Sequence, residues 1–129
     1  MALVHHDLCF GCGQTNLFGL LLEVDRLDDH RVAGRCFIKQ DHQGPERRSA
    51  HRGVVAAALC EAMSLACGPH AHAVRLDVEL SAAAPVGEFL NVEAAVGDRN
   101  GDTIAATATA TSEGRHVASA RGVFDLAGR

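Results

Sequence analysis

The chain has 129 residues, 47% apolar and 22% charged, with a formal net charge of −4 when its eight histidines are neutral. That balance fits one soluble globular domain over residues 1–129, with a real hydrophobic core and little room for a second domain. All five aromatic residues are Phe, and Arg and Lys are scattered, so neither a base-stacking platform nor a basic phosphate footprint is expected, and nucleic acid is not an expected partner.

Residues 1–19 are expected to form an irregular folded arm, because Gly11, Gly13 and Gly19 interrupt Cys9, Phe10, Cys12 and Phe18. The start lacks a basic region followed by an apolar stretch, and no run approaches the roughly 20 apolar residues of a membrane helix. A cytoplasmic protein without membrane contact is expected. Five cysteines form an odd set without disulfide-framework spacing, which favours a reducing compartment. Apolar and polar residues alternate over residues 20–27, Asp28-Asp29-His30 supplies a turn, and residues 31–38 continue as a second strand. Residues 39–50 are polar, carry Gly44 and Pro45, and read as a loop.

Residues 54–67 predict the one helix, with Ser49 nearby as a cap and Gly68-Pro69 as a stop. It is apolar nearly all round, so protein must surround it. Four strands follow, over residues 71–80, 88–98, 103–112 and 116–126, with Asn100-Gly101 and Glu113-Gly114 marking hairpin turns. Thr103, Thr107, Thr109 and Thr111 trace the solvent face of a period-2 pattern diluted by alanines. The order is β-β-α-β-β-β-β, an α+β fold of about six strands and one central helix.

At the loop and helix the sequence reads His42-Gln43-Gly44-Pro45, then His51-Arg52-Gly53-Val54-Val55 and Cys60-Glu61-Ala62-Met63. This resembles hotdog-fold acyl-CoA thioesterases of the 4-hydroxybenzoyl-CoA and phenylacetyl-CoA type, in which a His-Gly-Gly opens the central helix and an Asp lies nine residues after that His. Cys9-Phe10-Gly11-Cys12-Gly13 with Asn16 and Gly19-Leu20, Pro85-Val86-Gly87-Glu88, and Arg121-Gly122-Val123-Phe124 resemble further parts of the same superfamily. The resemblance implies a curved antiparallel sheet wrapped around the helix, homodimers joined edge to edge and paired into homotetramers in many members, and a site at the dimer interface. It implies hydrolysis of an acyl-CoA or acyl-carrier thioester, whose carbonyl faces backbone amides at the helix start.

Carried onto this chain, those amides belong to Arg52 and Gly53, and the family's acid position falls on Cys60. Arg52 brings bulk and charge where the family has glycine, and Cys60 cannot serve as a carboxylate. Glu61, one residue on, is the only charged residue between Arg52 and Arg75 and becomes the candidate base, although one helical step turns a side chain by about 100°. A structural carboxylate paired at an interface is the alternative for Glu61. His51 and Gln43 are candidates to hold the attacking water, His51 alternatively capping the helix. Cys60 reads more readily as a small buried filler than as a nucleophile. Ala73 stands where relatives place a polar side chain near the thioester. Retention of binding without hydrolysis is the alternative function.

Cys9-x2-Cys12, preceded by His5 and His6, has the spacing of half a zinc site. A second pair at such spacing is absent, so no metal and no cofactor is expected, and the arm is expected to pack through Phe10 and Phe18 instead. His70 and His72 are expected to be exposed.

Overall fold

The structure, a computed structural model, describes residues 2–126. Its elements follow the order β1 Glu23–Arg26, β2 Arg31–Phe37, α1 Arg52–Cys67, β3 His72–Leu80, β4 Phe89–Asn100, β5 Thr103–Ser112 and β6 Arg115–Asp125, with a 3-10 turn at Gln40–His42. The six strands form one antiparallel sheet in the order β1-β2-β4-β5-β6-β3. Helix α1 packs on one face of this sheet, with Ala58, Leu59, Ala62 and Met63 fully buried. This is the hotdog arrangement that the sequence resemblance implied.

The period-2 reading of β5 holds in the middle of the strand, while Thr103 and Thr111 are half-buried. Ala106, Ala108 and Ala110 are buried, while Thr107 and Thr109 are exposed. Methyl-sized side chains on the inner face let the helix backbone lie close to the sheet, and β-branched threonines suit the pleated outer face. Both hairpin turns are present, one with a shifted position. Glu113 and Gly114 have φ of 51° and 78°, the two positive values that a type I′ turn requires. In the other hairpin Asn100 pairs with Thr103, so the loop is Gly101-Asp102 rather than Asn100-Gly101.

Two boundaries and the packing of the arm differ from expectation for local reasons. The first strand begins at Glu23 rather than residue 20, because Leu20 and Leu22 donate their N–H groups to Phe10 and Gly11 carbonyls of the arm instead of to a neighbouring strand. The helix begins at Arg52 rather than residue 54, because His51, not Ser49, is its N-cap. The arm is not packed through its phenylalanines: Phe10 is 51% exposed and Phe18 85%. Its buried members are Gly11, Cys12, Gly13 and Gly19.

No helix among the described residues is long and apolar enough to cross a membrane. The sheet ends in β3, in which no residue is buried, and Val74 and Leu76 are 61% and 41% exposed.

Candidate functional site

Two places on helix α1 carry polar chemistry: its first turn and a notch halfway along it. At the first turn the N-cap residue His51 accepts a hydrogen bond at ring Nδ1 from the Gly53 N–H, at 2.8 Å. With Nδ1 accepting, the neutral ring carries its hydrogen on Nε2. The His51 carbonyl accepts from Val54 N–H and Val55 N–H. Among the described residues the Arg52 N–H meets no acceptor, which leaves one exposed donor at the positive end of the helix. A Cβ at Gly53 would lie 2.9 Å from His51 Nδ1, so a larger residue there would push the capping ring aside.

The loop before the helix is braced by the same residues that the sequence singled out. Gln43 donates from Nε2 to the Gln40 carbonyl at 2.9 Å and accepts at Oε1 from Arg48 N–H at 2.6 Å. That second bond supports Arg48 in a left-handed conformation, φ 66°. Both ends of the Gln43 amide therefore serve the loop. His42 sits beneath it, buried, with Nδ1 accepting from Lys39 N–H and Nε2 without a partner among the described residues. A recess beside the first turn is lined by Arg52, Val55, Leu80 and Ala82 to Ala84.

Cys60 and Glu61 part company at mid-helix. Cys60 is half-buried, one helical turn beyond the half-exposed Ala56 and Ala57. Its thiol is pushed up by burial and by the neighbouring Glu61 charge. Glu61 turns instead to the arm. Its Oε2 lies 2.8 Å from His5 Nδ1 and 3.3 Å from Cys9 Sγ, a thiol donor. The hydrogen bond to Glu61 raises His5 to about 9, against the opposing effect of burial. Burial pushes the Glu61 carboxyl up, but hydrogen bonds from His5 and Cys12 and the His5 charge outweigh it, so its net shift is downward. Cys12 is pushed up, first by burial.

The structure thus brings His51, Arg52, Gly53 and the Gln43 loop together and sets Glu61 apart from them. Glu61 lies nine residues along the helix from Arg52, a rise of roughly 13 Å, and its carboxylate faces His5, Cys9 and Cys12. Ala73 is exposed, beside a register shift in the pairing of β3 with β6. His70 and His72 are exposed as expected. Sequence reasoning gave no role to His5 alone or to Ser64, whose Oγ lies 3.3 Å from His5 Nε2. The signal was present: Glu61 and Ser64, three residues apart on one helix face, are the polar interruptions of residues 54–67 other than cysteine.

No protein-family profile and no curated protein matches the sequence. Solved structures do resemble the fold. A thioesterase superfamily protein matches 95% of this chain at 21% identity with a TM-score of 0.82, and this chain spans 64% of that protein's length. The PaaI protein from the phenylacetic acid degradation operon of E. coli matches 82% of this chain and 83% of its own length, at 17% identity and a TM-score of 0.75. A hypothetical thioesterase of Streptococcus pneumoniae TIGR4, solved with coenzyme A, matches 84% of this chain and 87% of its own length, at 14% identity and a TM-score of 0.75. The chain has the hotdog fold found in proteins of the thioesterase superfamily.

Proposed function

We propose that the chain binds and hydrolyses the thioester of an acyl-CoA or acyl-carrier substrate at the start of helix α1, in a cleft completed by a second copy. The observation that carries this reading is the exposed Arg52 N–H, left without an acceptor at the positive end of a 16-residue helix. A donor fixed in the backbone needs no reorganisation as the thioester carbonyl gains negative charge, and such preorganised donors are among the largest contributors to acyl-transfer catalysis. His51, the residue before Arg52, has its ring Nε2–H left over as a further donor, since Nδ1 accepts from Gly53 N–H. Water adds to the carbonyl carbon and the C–S bond breaks; one proton of the water leaves with the sulfur as a thiol, the other passes to solvent, and the acyl group departs as a carboxylate.

Three further observations support the reading. The pneumococcal protein of the same fold was solved with coenzyme A. Edge strand β3 exposes Val74 and Leu76 beside unpaired backbone groups, a surface that a second copy would cover by strand pairing. Cys60, at the position where the resembling family has its acid, lies on a half-exposed stripe of the helix with Ala56 and Ala57. The assignment of Glu61 as the water-activating base is the part the geometry supports least, since its carboxylate is engaged with the arm. Gln43 serves this site through the loop it braces.

Thiol release from a panel of acyl-CoA esters tests the proposal when two variants of one residue are compared. Arg52→Ala keeps the backbone N–H, whereas Arg52→Pro removes it. Proline is tolerated at the first helical position, and His51 already has the extended φ −54°, ψ 137° that a following proline requires. The proline variant should lose about 100-fold or more in kcat while the alanine variant stays within about tenfold of wild type. Equal activity in the two variants would remove Arg52 N–H from the site. Stabilisation by acyl-CoA without any thiol release would leave a binding protein instead of an enzyme.

A further inference from the structure

The notch halfway along helix α1 holds a chemistry that thioester hydrolysis does not use. We propose that His5, Cys9, Cys12 and Glu61 together bind one zinc ion in a closed four-coordinate site that fastens the arm to the helix. This assignment is independent of whether the chain hydrolyses thioesters.

The donor set comes first. Two thiol sulfurs, one imidazole nitrogen and one carboxylate oxygen all lie within 4.8 Å of one another. Two sulfurs select against magnesium and calcium and favour a borderline-soft cation with tetrahedral preference. The spacings also fit. Cys9 Sγ and Cys12 Sγ stand 3.6 and 3.5 Å from His5 Nδ1, and Cys9 Sγ stands 3.3 Å from Glu61 Oε2. A tetrahedron with zinc–sulfur bonds of about 2.3 Å and zinc–nitrogen or zinc–oxygen bonds of about 2.0–2.1 Å has sulfur-to-nitrogen and sulfur-to-oxygen edges of about 3.5–3.6 Å. The 2.8 Å separation of His5 Nδ1 and Glu61 Oε2 is shorter than the corresponding edge of about 3.3 Å. Exchange of that hydrogen bond for two metal bonds requires these atoms to part by roughly half an ångström.

The surroundings match what such ligands need. An imidazole that binds metal through Nδ1 must donate from Nε2, and its partner fixes the ring. Here His5 Nε2 meets Ser64 Oγ at 3.3 Å, and the Ser64 hydroxyl donates to the Ala71 carbonyl at 3.0 Å, which leaves its oxygen free to accept. The His5 backbone N–H points at Cys12 Sγ, 3.2 Å away, where it supports a thiolate. Glycines let the arm close over the cluster: a Cβ on Gly11 would fall on the Glu61 side chain, and one on Gly13 on the Asp7 carbonyl. Finally, the arm has no helix or strand of its own and leaves Phe10 and Phe18 exposed, so apolar packing alone does not account for its fixed path. Four protein donors leave no open position, so the role is structural. Binding displaces to solvent the protons of both thiols and the proton that lies between His5 Nδ1 and Glu61.

The test uses the full chain, purified under reducing conditions with any affinity tag removed. Elemental analysis should find about one zinc per chain. After chelation, added Co²⁺ should give a thiolate-to-metal charge-transfer band together with the visible bands of tetrahedral cobalt. The paired change Cys9→Ser with Cys12→Ser should abolish both signals, while His72→Ala, an exposed control, should leave them unchanged. Ser64→Ala keeps all four donors and should weaken zinc about 10- to 100-fold. Because the cysteine variants risk failing to fold, the chelated wild-type chain provides a second measurement: added zinc should raise its thermal midpoint and magnesium should not. Metal-free protein that gives no charge-transfer band with Co²⁺ and no thermal shift with zinc would overturn the proposal and leave a protonated hydrogen-bond cluster. A Cys9–Cys12 disulfide in metal-free native protein would overturn it as well.

Discussion

Cys60 and Glu61 are neighbours in sequence, yet they belong to two different regions of the molecule. One helical step of about 100° separates a half-exposed thiol on the stripe shared with Ala56 and Ala57 from a carboxylate enclosed by His5, Cys9 and Cys12. The stripe is half-exposed, while the notch is already filled by the chain's own arm. A carboxylate and the position where a carboxylate was expected can therefore be adjacent and still not substitute for each other. What separates them is direction, which a linear motif does not encode.

The largest expected effect comes from restoring the acid on the open stripe. Cys60→Asp should raise the rate of thiol release by about 10²- to 10⁴-fold, the range of a positioned general base. No gain would mean that the stripe does not face the thioester. On the other face, Glu61→Ala removes the partner of His5 and should cost about 3 kcal/mol, read as a drop of roughly 10 °C in thermal midpoint. Cys60→Ala, by contrast, should stay within about 1 kcal/mol, because it trims a small half-exposed side chain. Similar losses in the two variants would erase the distinction between the faces. Gly11→Ala places a methyl group where the Glu61 side chain lies and should cost about 1–3 kcal/mol in chemical denaturation, without touching the stripe. The mildest test changes no residue. Cys36 is buried and its thiol is pushed up to about 12 by desolvation, so near pH 8 it is almost wholly protonated. Native-state alkylation should modify half-exposed Cys60 well before Cys36, and mass spectrometry of the peptides would show the order.

Elements with a period were legible in the sequence, and the arm was not. The alternation of Ala and Thr in β5, the apolar run of α1 and the Glu113-Gly114 turn each follow from local rules, and each lies within two residues of its expected place. The start of α1 was misplaced because a histidine ring, rather than the nearby serine, caps it. The arm escaped because its contacts are remote: His5 and Glu61 are 56 positions apart. Cys9 and Cys12 looked like half of a ligand set because the other donors come from an isolated histidine and a helix carboxylate, not from a second pair. His51 caps the helix and Gln43 lies in the loop before it, and their hydrogen bonds to Gly53 and Arg48 are read only from geometry.

The ladder of alanines has one more consequence. Ala106, Ala108 and Ala110 on β5 and Ala58 and Ala62 on the helix are all buried, so small side chains stand on both sides of the layer between helix and sheet, with Leu59, Met63, Leu90 and Phe124 filling the rest of the core. Small side chains at close approach leave enlargement on either surface little room unless the helix moves off the sheet. If thioesters bind as proposed, between two copies, the acyl group would be held at the outer surface of each chain rather than within this layer. On that proposal, substitutions on β3 or on the Ala56-Ala57-Cys60 stripe would be the ones to alter acyl preference, since none of these residues is buried.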